Sequence, residues 1–222
     1  MFLLNNQQIF RMKNIQKLSS IVIFLLVSVV AFAQPGSDVQ KSYQDSIKQL
    51  EMKRRSNMAL EYQAKLNVVS QYNANIDMAI ANKDLVEHRL NMNATNKAIV
   101  KVGKYNRNVS FFHDEKKSIK KIIILTTYGS DQDYQEFLFD DRGLVYKVSH
   151  MPDMSNPLTT KAFYYEDEKL SLYTKDGGKV FGADDVNSFD EDAFQEGVDW
   201  LNKAAGYTAL FKLMGSLEPV SR

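Results

Sequence analysis

Short runs of β-branched and aromatic residues, joined by tight turns, fill the second half of this sequence. Runs this short bury an apolar face by pairing with their chain neighbours, so they predict an antiparallel meander. The runs cover residues 98–102, 109–113, 119–128, 134–139, 144–148, 162–165 and 170–173. Because side chains alternate between the faces of a strand, we expect Phe137 and Phe139 to face the core. Tyr146 and Val148 are expected to do the same.

Two of these hairpins form an internal repeat. Residues 137–146 align without a gap to residues 163–172. Both copies read aromatic, any residue, aromatic, acidic, Asp, two of any residue, Leu. The repeat predicts one aromatic hairpin that occurs twice, which is too few copies for a solenoid or a propeller.

A long stretch without Pro or Gly, residues 39–90, precedes the runs. Its apolar positions mostly recur every three or four residues, which is typical of an amphipathic helix. They are Val39, Tyr43, Ile47, Leu50, Met58, Tyr62, Leu66, Val69, Tyr72, Ile76 and Ile80, with Arg54 interrupting the stripe. About 52 residues would give a helix of roughly 78 Å. Such a helix either folds back near residues 81–84 as a helical hairpin or pairs with a partner helix in a coiled coil.

Helical spacing returns near the C-terminus. Ser188 and Glu191 fit a capping box at the start of a helix. The predicted buried stripe consists of Phe194, Val198, Leu201 and Ala205, with Trp200 at its edge. Gly206 is expected to kink or end this helix.

Together these patterns predict an α+β fold. Its parts are a long N-terminal helix or helical hairpin, an antiparallel meander sheet of five to seven strands, and a C-terminal helix packed on the sheet. The predicted domains are a leader at residues 1–33, a helical segment at residues 34–92, and a sheet domain with its helix at residues 93–222.

The first 33 residues have the layout of a secretory signal peptide. Basic residues at positions 11, 13 and 17 precede an apolar run at residues 21–32. Ala31-Phe32-Ala33 supplies the cleavage pattern, and Gln34 is the expected first mature residue; translation starting at Met12 fits the same layout. The run is short for a membrane span, and no stop-transfer pattern follows it. We therefore expect an exported protein, periplasmic or extracellular, without a transmembrane span after cleavage.

Composition excludes several classes of site. Cysteine is absent, which excludes disulfides, thiolate metal sites, a cysteine nucleophile and a lipid-modified cysteine. Residues 37–121 carry 16 Lys or Arg against 9 Asp or Glu, whereas residues 122–200 carry 6 against 17. This asymmetry indicates two solvated faces of opposite sign, or a charged partner. The acidic half would repel phosphate, so nucleic acid is not an expected partner.

No catalytic or cofactor motif is recognisable. The sequence lacks a nucleophile elbow, a phosphate loop and a dinucleotide fingerprint. Its histidines, His88, His113 and His150, do not have the spacing of metal ligands. We therefore predict no catalytic residues, no cofactor and no metal site.

The acidic residues leave two alternatives open. Asp131, Asp133 and Glu136 form a fragment of a calcium loop, without the glycine or the remaining ligands. Two carboxylates that converge from distant parts of the fold would also suffice for a glycosidase. Turn formation and helix capping explain the other acidic clusters.

The densest basic patch is a candidate binding site. It consists of Lys116, Lys117, Lys120 and Lys121. These lysines would either prevent an edge strand from pairing with a neighbouring molecule or bind an anionic surface such as lipid headgroups.

Three segments of the meander carry a family resemblance. They are KIIILTTYG at residues 121–129, EFLFDDRGLVYKV at 136–148 and AFYYEDEKLSLYT at 162–174. They resemble a group of uncharacterised secreted proteins of Gram-negative bacteria of the Bacteroidota type. The resemblance implies an aromatic antiparallel sheet followed by a C-terminal helix, and it brings no catalytic residues.

These observations favour an exported, non-catalytic cell-envelope protein that acts through protein–protein contacts. Its partner would be another envelope protein, or a second copy, bound at the long helix. One alternative is a small-molecule or lipid carrier, in which the aromatic sheet and the C-terminal helix enclose a pocket. Another is a hydrolase with an unrecognised carboxylate pair.

Overall fold

The computed structural model describes residues 37–93, 105–175, 178–182 and 190–217. The predicted signal peptide, the run at 98–102 and Ser188 lie outside these ranges. The helices are α1 (Ser37–Ala81) and α2 (Glu191–Leu217), and residues Pro157–Thr159 form a 3₁₀ turn. The strands are β1 (Val86–Asn93), β2 (Tyr105–His113), β3 (Ile119–Tyr128), β4 (Asp131–Phe139), β5 (Val145–Met151), β6 (Lys161–Glu166), β7 (Lys169–Lys175) and β8 (Lys179–Gly182). The predicted α+β class is confirmed.

The chain divides into two compact units, residues 1–59 and residues 60–222. The described part of the first unit is helical from Ser37, and every side chain from residue 40 to residue 57 is exposed. The second unit contains the rest of α1, the whole sheet and α2. Within the described ranges, no helix combines the length and the apolar composition that crossing a membrane requires.

The sheet is a meander in which every strand pairs antiparallel with its chain neighbour, in the order β1 to β8. Its eight strands exceed the predicted five to seven because β1 and β8 fall outside the predicted runs. Strand β1 occupies residues that the sequence assigned to the long helix. Leu90 packs against the core, and the His88 ring lies 6.1 Å from Phe211. Pairing with β2, together with partial burial of these two side chains, has therefore overridden the helix-forming composition.

Helix α1 ends at Ala81, so the predicted helical hairpin and a helix through Leu90 are both wrong. Backbone N–H groups of residues 82–84 donate to carbonyl groups of the last helical turn. Lys83 adopts a left-handed φ of 64°, which ends the helix and directs the chain into β1. Arg54 interrupts the apolar stripe without breaking the helix.

The hydrophobic core lies on one face of the sheet, against α2. Its buried members are Val109, Phe111, Ile119, Ile122, Ile124, Phe137, Phe139, Val145, Val148, Phe163, Tyr165, Tyr173, Ala193, Trp200, Ala204 and Phe211. None of the described residues of α1 belongs to it. We call this side of the sheet the α2 face, and the opposite side, which residues 60–81 contact, the α1 face. The predicted core positions Phe137, Phe139 and Val148 are confirmed.

Helix α2 buries a stripe displaced by one position from the predicted one. Its buried residues are Ala193, Gly197, Trp200, Ala204 and Phe211, whereas Phe194 and Ala205 are exposed. The Tyr165 hydroxyl donates to the Gly197 carbonyl oxygen at 2.8 Å, and a Cβ at Gly197 would lie 3.0 Å from Leu170 Cδ2. The glycine thus permits a close approach to the sheet that a larger residue would prevent, and this approach sets the stripe.

The boundaries of α2 also differ from expectation. The Asp190 carboxylate accepts a hydrogen bond from the Ala193 N–H at 3.1 Å and caps the first turn. The helix continues through Gly206 to Leu217, so this glycine does not end it.

Candidate functional site

Three hairpins have their turns at the same end of the strands, and we call this end of the sheet the turn edge. They are β2–β3, β4–β5 and β6–β7, and each shows a register shift beside its turn. One extra residue in the second strand of each hairpin causes the shift: Lys120, Tyr146 and Ser171. Such bulges redirect side chains and are frequent next to functional sites.

Two of the bulged residues are linked to Tyr72 of α1, Lys120 through Asp141 and Tyr146 by direct ring contact. Lys120 Nζ donates to Asp141 Oδ1 at 3.0 Å, and the Tyr72 hydroxyl donates to the same oxygen at 3.1 Å. The Tyr146 ring packs edge-on against Tyr72, with 5.7 Å between the ring centroids. The prediction that Tyr146 faces the core is therefore wrong, because the bulge turns this residue to the α1 face.

An opening separates β5 from β6 at the turn edge. Their pairing stops at Lys147 and Tyr164, although each strand continues for two more residues toward the edge. The gap forms a cavity of about 470 Å³, lined by three tyrosines and by residues of both adjoining turns. Arg142 Nη1 donates to Asp167 Oδ1 at 2.7 Å and joins these turns. We call this cavity the turn-edge cleft.

A second cavity of about 340 Å³ shares part of this lining, including Tyr146, and extends along α1. The third bulged residue, Ser171, lies here and accepts a hydrogen bond from Lys65 Nζ at 3.4 Å. Val69 and Leu172 add apolar surface. The two cavities together offer both polar groups and apolar ring faces to a ligand.

Every carboxylate that lines the turn-edge cleft has a cationic partner. The pairs are Asp140 with Arg142 at 2.8 Å, Asp141 with Lys120 at 3.0 Å, Glu166 with Lys65 at 3.0 Å, and Asp167 with Arg142 at 2.7 Å. The hydrogen bond from Lys120 lowers the pKa of Asp141 below its ordinary value. A glycosidase acid needs a shift in the opposite direction. Burial raises the pKa of Tyr146, whose phenol stays neutral. This arrangement suits binding of a polar molecule better than proton transfer.

Four charged groups and one tyrosine lie between α1 and the sheet, and we call them the buried charge cluster. They are Asp77, Lys121, Tyr134, Glu136 and Lys147, of which Asp77 is half exposed. Lys121 Nζ lies 2.5 Å from Asp77 Oδ1 and 3.3 Å from Glu136 Oε2. The Tyr134 hydroxyl donates to Glu136 at 2.9 Å, and Lys147 Nζ lies 4.0 Å from the same carboxylate. Burial lowers the pKa of Lys147 and raises that of Tyr134. Opposite charges therefore compensate one another within the cluster.

The four lysines of the predicted basic patch lie in different surroundings. Lys116 and Lys117 are exposed in the β2–β3 turn, Lys120 is paired with Asp141, and Lys121 is fully buried. They do not form one surface patch. Strand β3 is paired on both sides, so the edge-protection interpretation is wrong.

The histidines lie on the α2 face. His88 Nδ1 and His113 Nε2 are 3.4 Å apart, and both rings contact Phe211. His150 Nε2 lies 2.8 Å from Asp133 Oδ2, and its ring packs 4.9 Å from Trp200. Sequence reasoning missed these contacts, because they depend on strand register and on the position of α2.

The fragment of a calcium loop does not converge. Asp133 contacts His150 on the α2 face, whereas Glu136 contacts Lys121 on the α1 face. Among the residues that the structure describes, no group of His, Asp and Glu is arranged to hold a metal ion.

The first unit offers a different candidate surface, the helix of residues 37–59. Four large apolar side chains are exposed there: Tyr43 (51%), Ile47 (41%), Leu50 (68%) and Met52 (55%). Tyr43, Ile47 and Leu50 belong to the predicted stripe. An apolar stripe on an otherwise polar helix is typical of a contact surface.

Sequence reasoning did not identify the turn-edge cleft, although the repeat contained a signal. The acidic turns of both copies line the cleft, because the antiparallel order places them at the same edge. Comparison of the chain with protein-family models, with curated proteins and with solved structures finds no match. The resemblance to secreted Bacteroidota proteins stays a prediction.

Proposed function

We propose that this chain is an exported, non-catalytic cell-envelope protein that acts by contact with another protein. The exposed stripe of Tyr43, Ile47 and Leu50 carries this proposal. These side chains gain favourable burial only when a partner covers them. The signal-peptide pattern of residues 1–33 supports the location.

The charge of this helix favours an acidic partner. Residues 37–59 carry five Lys or Arg against three Asp or Glu. A partner helix with its own apolar stripe, flanked by glutamates, would match both the stripe and the charge. A second copy would bring the same net positive charge and is the less favoured occupant.

Two synthetic helical peptides test this proposal against the mature chain. Both carry the same apolar heptad stripe, flanked by Glu in one peptide and by Lys in the other. We expect the Glu peptide to bind, more weakly as NaCl is raised, and the Lys peptide not to bind, as measured by calorimetry. Equal binding of both peptides would contradict the proposed partner chemistry.

Matched substitutions locate the contact. Ile47→Glu and Leu50→Glu should weaken binding of the Glu peptide by about tenfold or more, because they charge the stripe. Gln49→Glu makes the same charge change outside the stripe and should have a much smaller effect. Equal losses in all three variants would reject the stripe as the surface. A dimer in light scattering that Leu50→Glu abolishes would instead identify a second copy as the partner.

Binding of a small polar ligand in the turn-edge cleft is a second candidate function. The early end of β5–β6 pairing favours it, since the gap has the volume of a ligand site. This location differs from the expected pocket between the sheet and the C-terminal helix, although a cavity of about 550 Å³ also lies there, lined by Phe139, Val145 and Leu201 among others. Native mass spectrometry of protein purified from its host should detect a bound mass that Tyr146→Ala removes and Tyr43→Ala retains. An apo mass alone would argue against this function.

A further inference from the structure

The two helices of the second unit are held to the sheet by different forces. Helix α2 contributes Trp200, Ala204 and Phe211 to the core, whereas residues 60–81 of α1 contribute no core member. Val69 is the one fully buried side chain of α1 among the described residues. Opening α2 would therefore expose the main apolar surface of the domain, and opening α1 would not.

The contacts of α1 with the sheet combine apolar packing, such as that of Val69 beside Leu172, with several polar bonds. Asp77 pairs with Lys121, and the Tyr72 hydroxyl, whose one proton faces both Asp141 and the Phe139 carbonyl oxygen, lies 3.1 Å from that carbonyl. Lys65 Nζ lies 3.0 Å from Glu166 Oε1. Opening α1 would break these bonds, but water would replace them, so the net free-energy cost of each is small.

The docked position also contains groups that gain from opening. Lys121 is held out of water, with 1% of its side chain exposed, beside the largely buried Glu136. When α1 opens, water hydrates these charges, and much of the free energy lost in their desolvation is recovered. Asn73 Oδ1 is buried and has no hydrogen-bond partner among the described residues, and it would gain one from water.

The connection between α1 and β1 is short and strained. It spans residues 82–85, and Lys83 adopts a φ of 64°, which is unfavourable for a residue with a Cβ. Opening of α1 by rotation at these residues would let the φ of Lys83 change and relieve this strain.

We propose that residues 60–81 form a strap that opens from the α1 face as a unit, latched by the Asp77–Lys121 pair, while the sheet and α2 stay folded. When the strap is open, Leu138 and Leu172, which are buried in the docked state, become exposed. They lie beside the buried charge cluster, whose charged groups then contact water. The strap thereby controls access to a mixed apolar and charged surface. This inference is independent of the partner proposed for residues 37–59.

Hydrogen exchange of the full mature chain, followed by mass spectrometry, tests the strap. We expect amides of residues 60–81 to exchange at least about tenfold faster than those of α2 and β3, relative to their unstructured rates. Exchange of all three elements at one common protection level would overturn the proposal, because it would mean a single cooperative unit.

Two substitutions test the latch and the hinge. Asp77→Asn should speed exchange of residues 60–81 by about tenfold and leave α2 unchanged, because it removes a charged hydrogen bond from the latch. Lys83→Gly should slow the same exchange by about fivefold, since glycine adopts a positive φ without strain. Asp45→Asn, an equal charge change in the exposed helix, serves as the control.

The variants also identify a purely structural role for the charge cluster. Faster exchange throughout the domain in Asp77→Asn would overturn the strap in favour of general destabilisation. If that variant does not fold, the wild-type rates and Lys83→Gly decide the question. Unchanged exchange of α1 in Lys83→Gly would reject residues 82–85 as the hinge.

Discussion

At the scale of single residues, the pair of Asp133 and His150 links two strands to α2. The carboxylate accepts from His150 Nε2 and from the Gln135 amide, whose oxygen accepts from Lys203 Nζ at 2.6 Å. Lys203 lies over the Trp200 ring at 4.6 Å. These hydrogen bonds place α2 on the sheet in addition to the burial of its apolar side chains. Each bond is directional and forms only when the helix and the strands are aligned in one way.

The pair predicts a specific pH dependence of stability. Burial alone would raise the pKa of Asp133, but its hydrogen bond with His150 lowers the pKa below the ordinary value. A depressed native pKa contributes stability that is present above the unfolded value of about 3.9 and is lost as the pH falls through the native value. Asp133→Asn should therefore lower the free energy of unfolding at pH 6 and reduce its further loss toward pH 2.5, as measured by urea denaturation. Asp199→Asn, which removes an exposed carboxylate, should retain the wild-type slope.

At the scale of elements, the two copies of the repeat form hairpins with different turns. In the second copy Glu166 pairs with Lys169, which leaves a two-residue turn. Both turn residues have positive φ, 49° at Asp167 and 61° at Glu168. In the first copy the turn is longer, and Gly143 takes the positive φ of 81°. The gapless alignment thus predicts both hairpins but not the lengths of their turns, since Gly143 has no glycine counterpart in the second copy.

The two-residue turn between β6 and β7 is a position where a substitution can raise the free energy of unfolding. Glu168→Gly creates the Asp-Gly sequence that such turns favour and should raise the free energy of unfolding by about 1 kcal/mol. Glu115→Gly, at a position of the β2–β3 turn whose own φ is not positive, should be neutral or destabilising. Urea denaturation measures both. A loss of stability in Glu168→Gly would mean that its side chain contributes more than the strain costs.

The sequence predicted most of the sheet because turn chemistry and β-branched runs are local signals. The prediction of a helix at β1 was wrong. Pairing with β2 determines the structure there, although the residues themselves favour a helix. Prediction from the sequence also misplaced Tyr146 and the α2 stripe. A bulge inverts the alternation at Tyr146, and the close approach at Gly197 displaces the stripe, so both depend on contacts between distant segments. The turn-edge cleft depends on the bulge at Tyr146 and on the early end of the β5–β6 pairing, neither of which follows from residue spacing.

At the scale of the whole molecule, the proposed function depends most on the predicted export. We predict that the mature protein begins at Gln34, as read by intact-mass and N-terminal peptide analysis of the host's envelope fraction. Ala33→Leu should block cleavage and leave the leader attached, because the peptidase requires a small residue there. Phe32→Leu, at the unrestricted middle position, should be cleaved normally. A mature protein found in the cytosol with residues 12–33 intact would contradict the prediction.

The strictly sequential strand order has a consequence for how the protein reaches its folded state. Among the described strands, each pairs only with its neighbours in sequence, so each hairpin can form as soon as its second strand is free, and the sheet grows by one strand at a time. Such local pairing avoids the slow closure of long loops that delays most β-rich proteins. A polypeptide that passes unfolded through a narrow translocation channel could therefore form its sheet strand by strand as it emerges. Helix α2 emerges after the strands and would cover the apolar face of the sheet last.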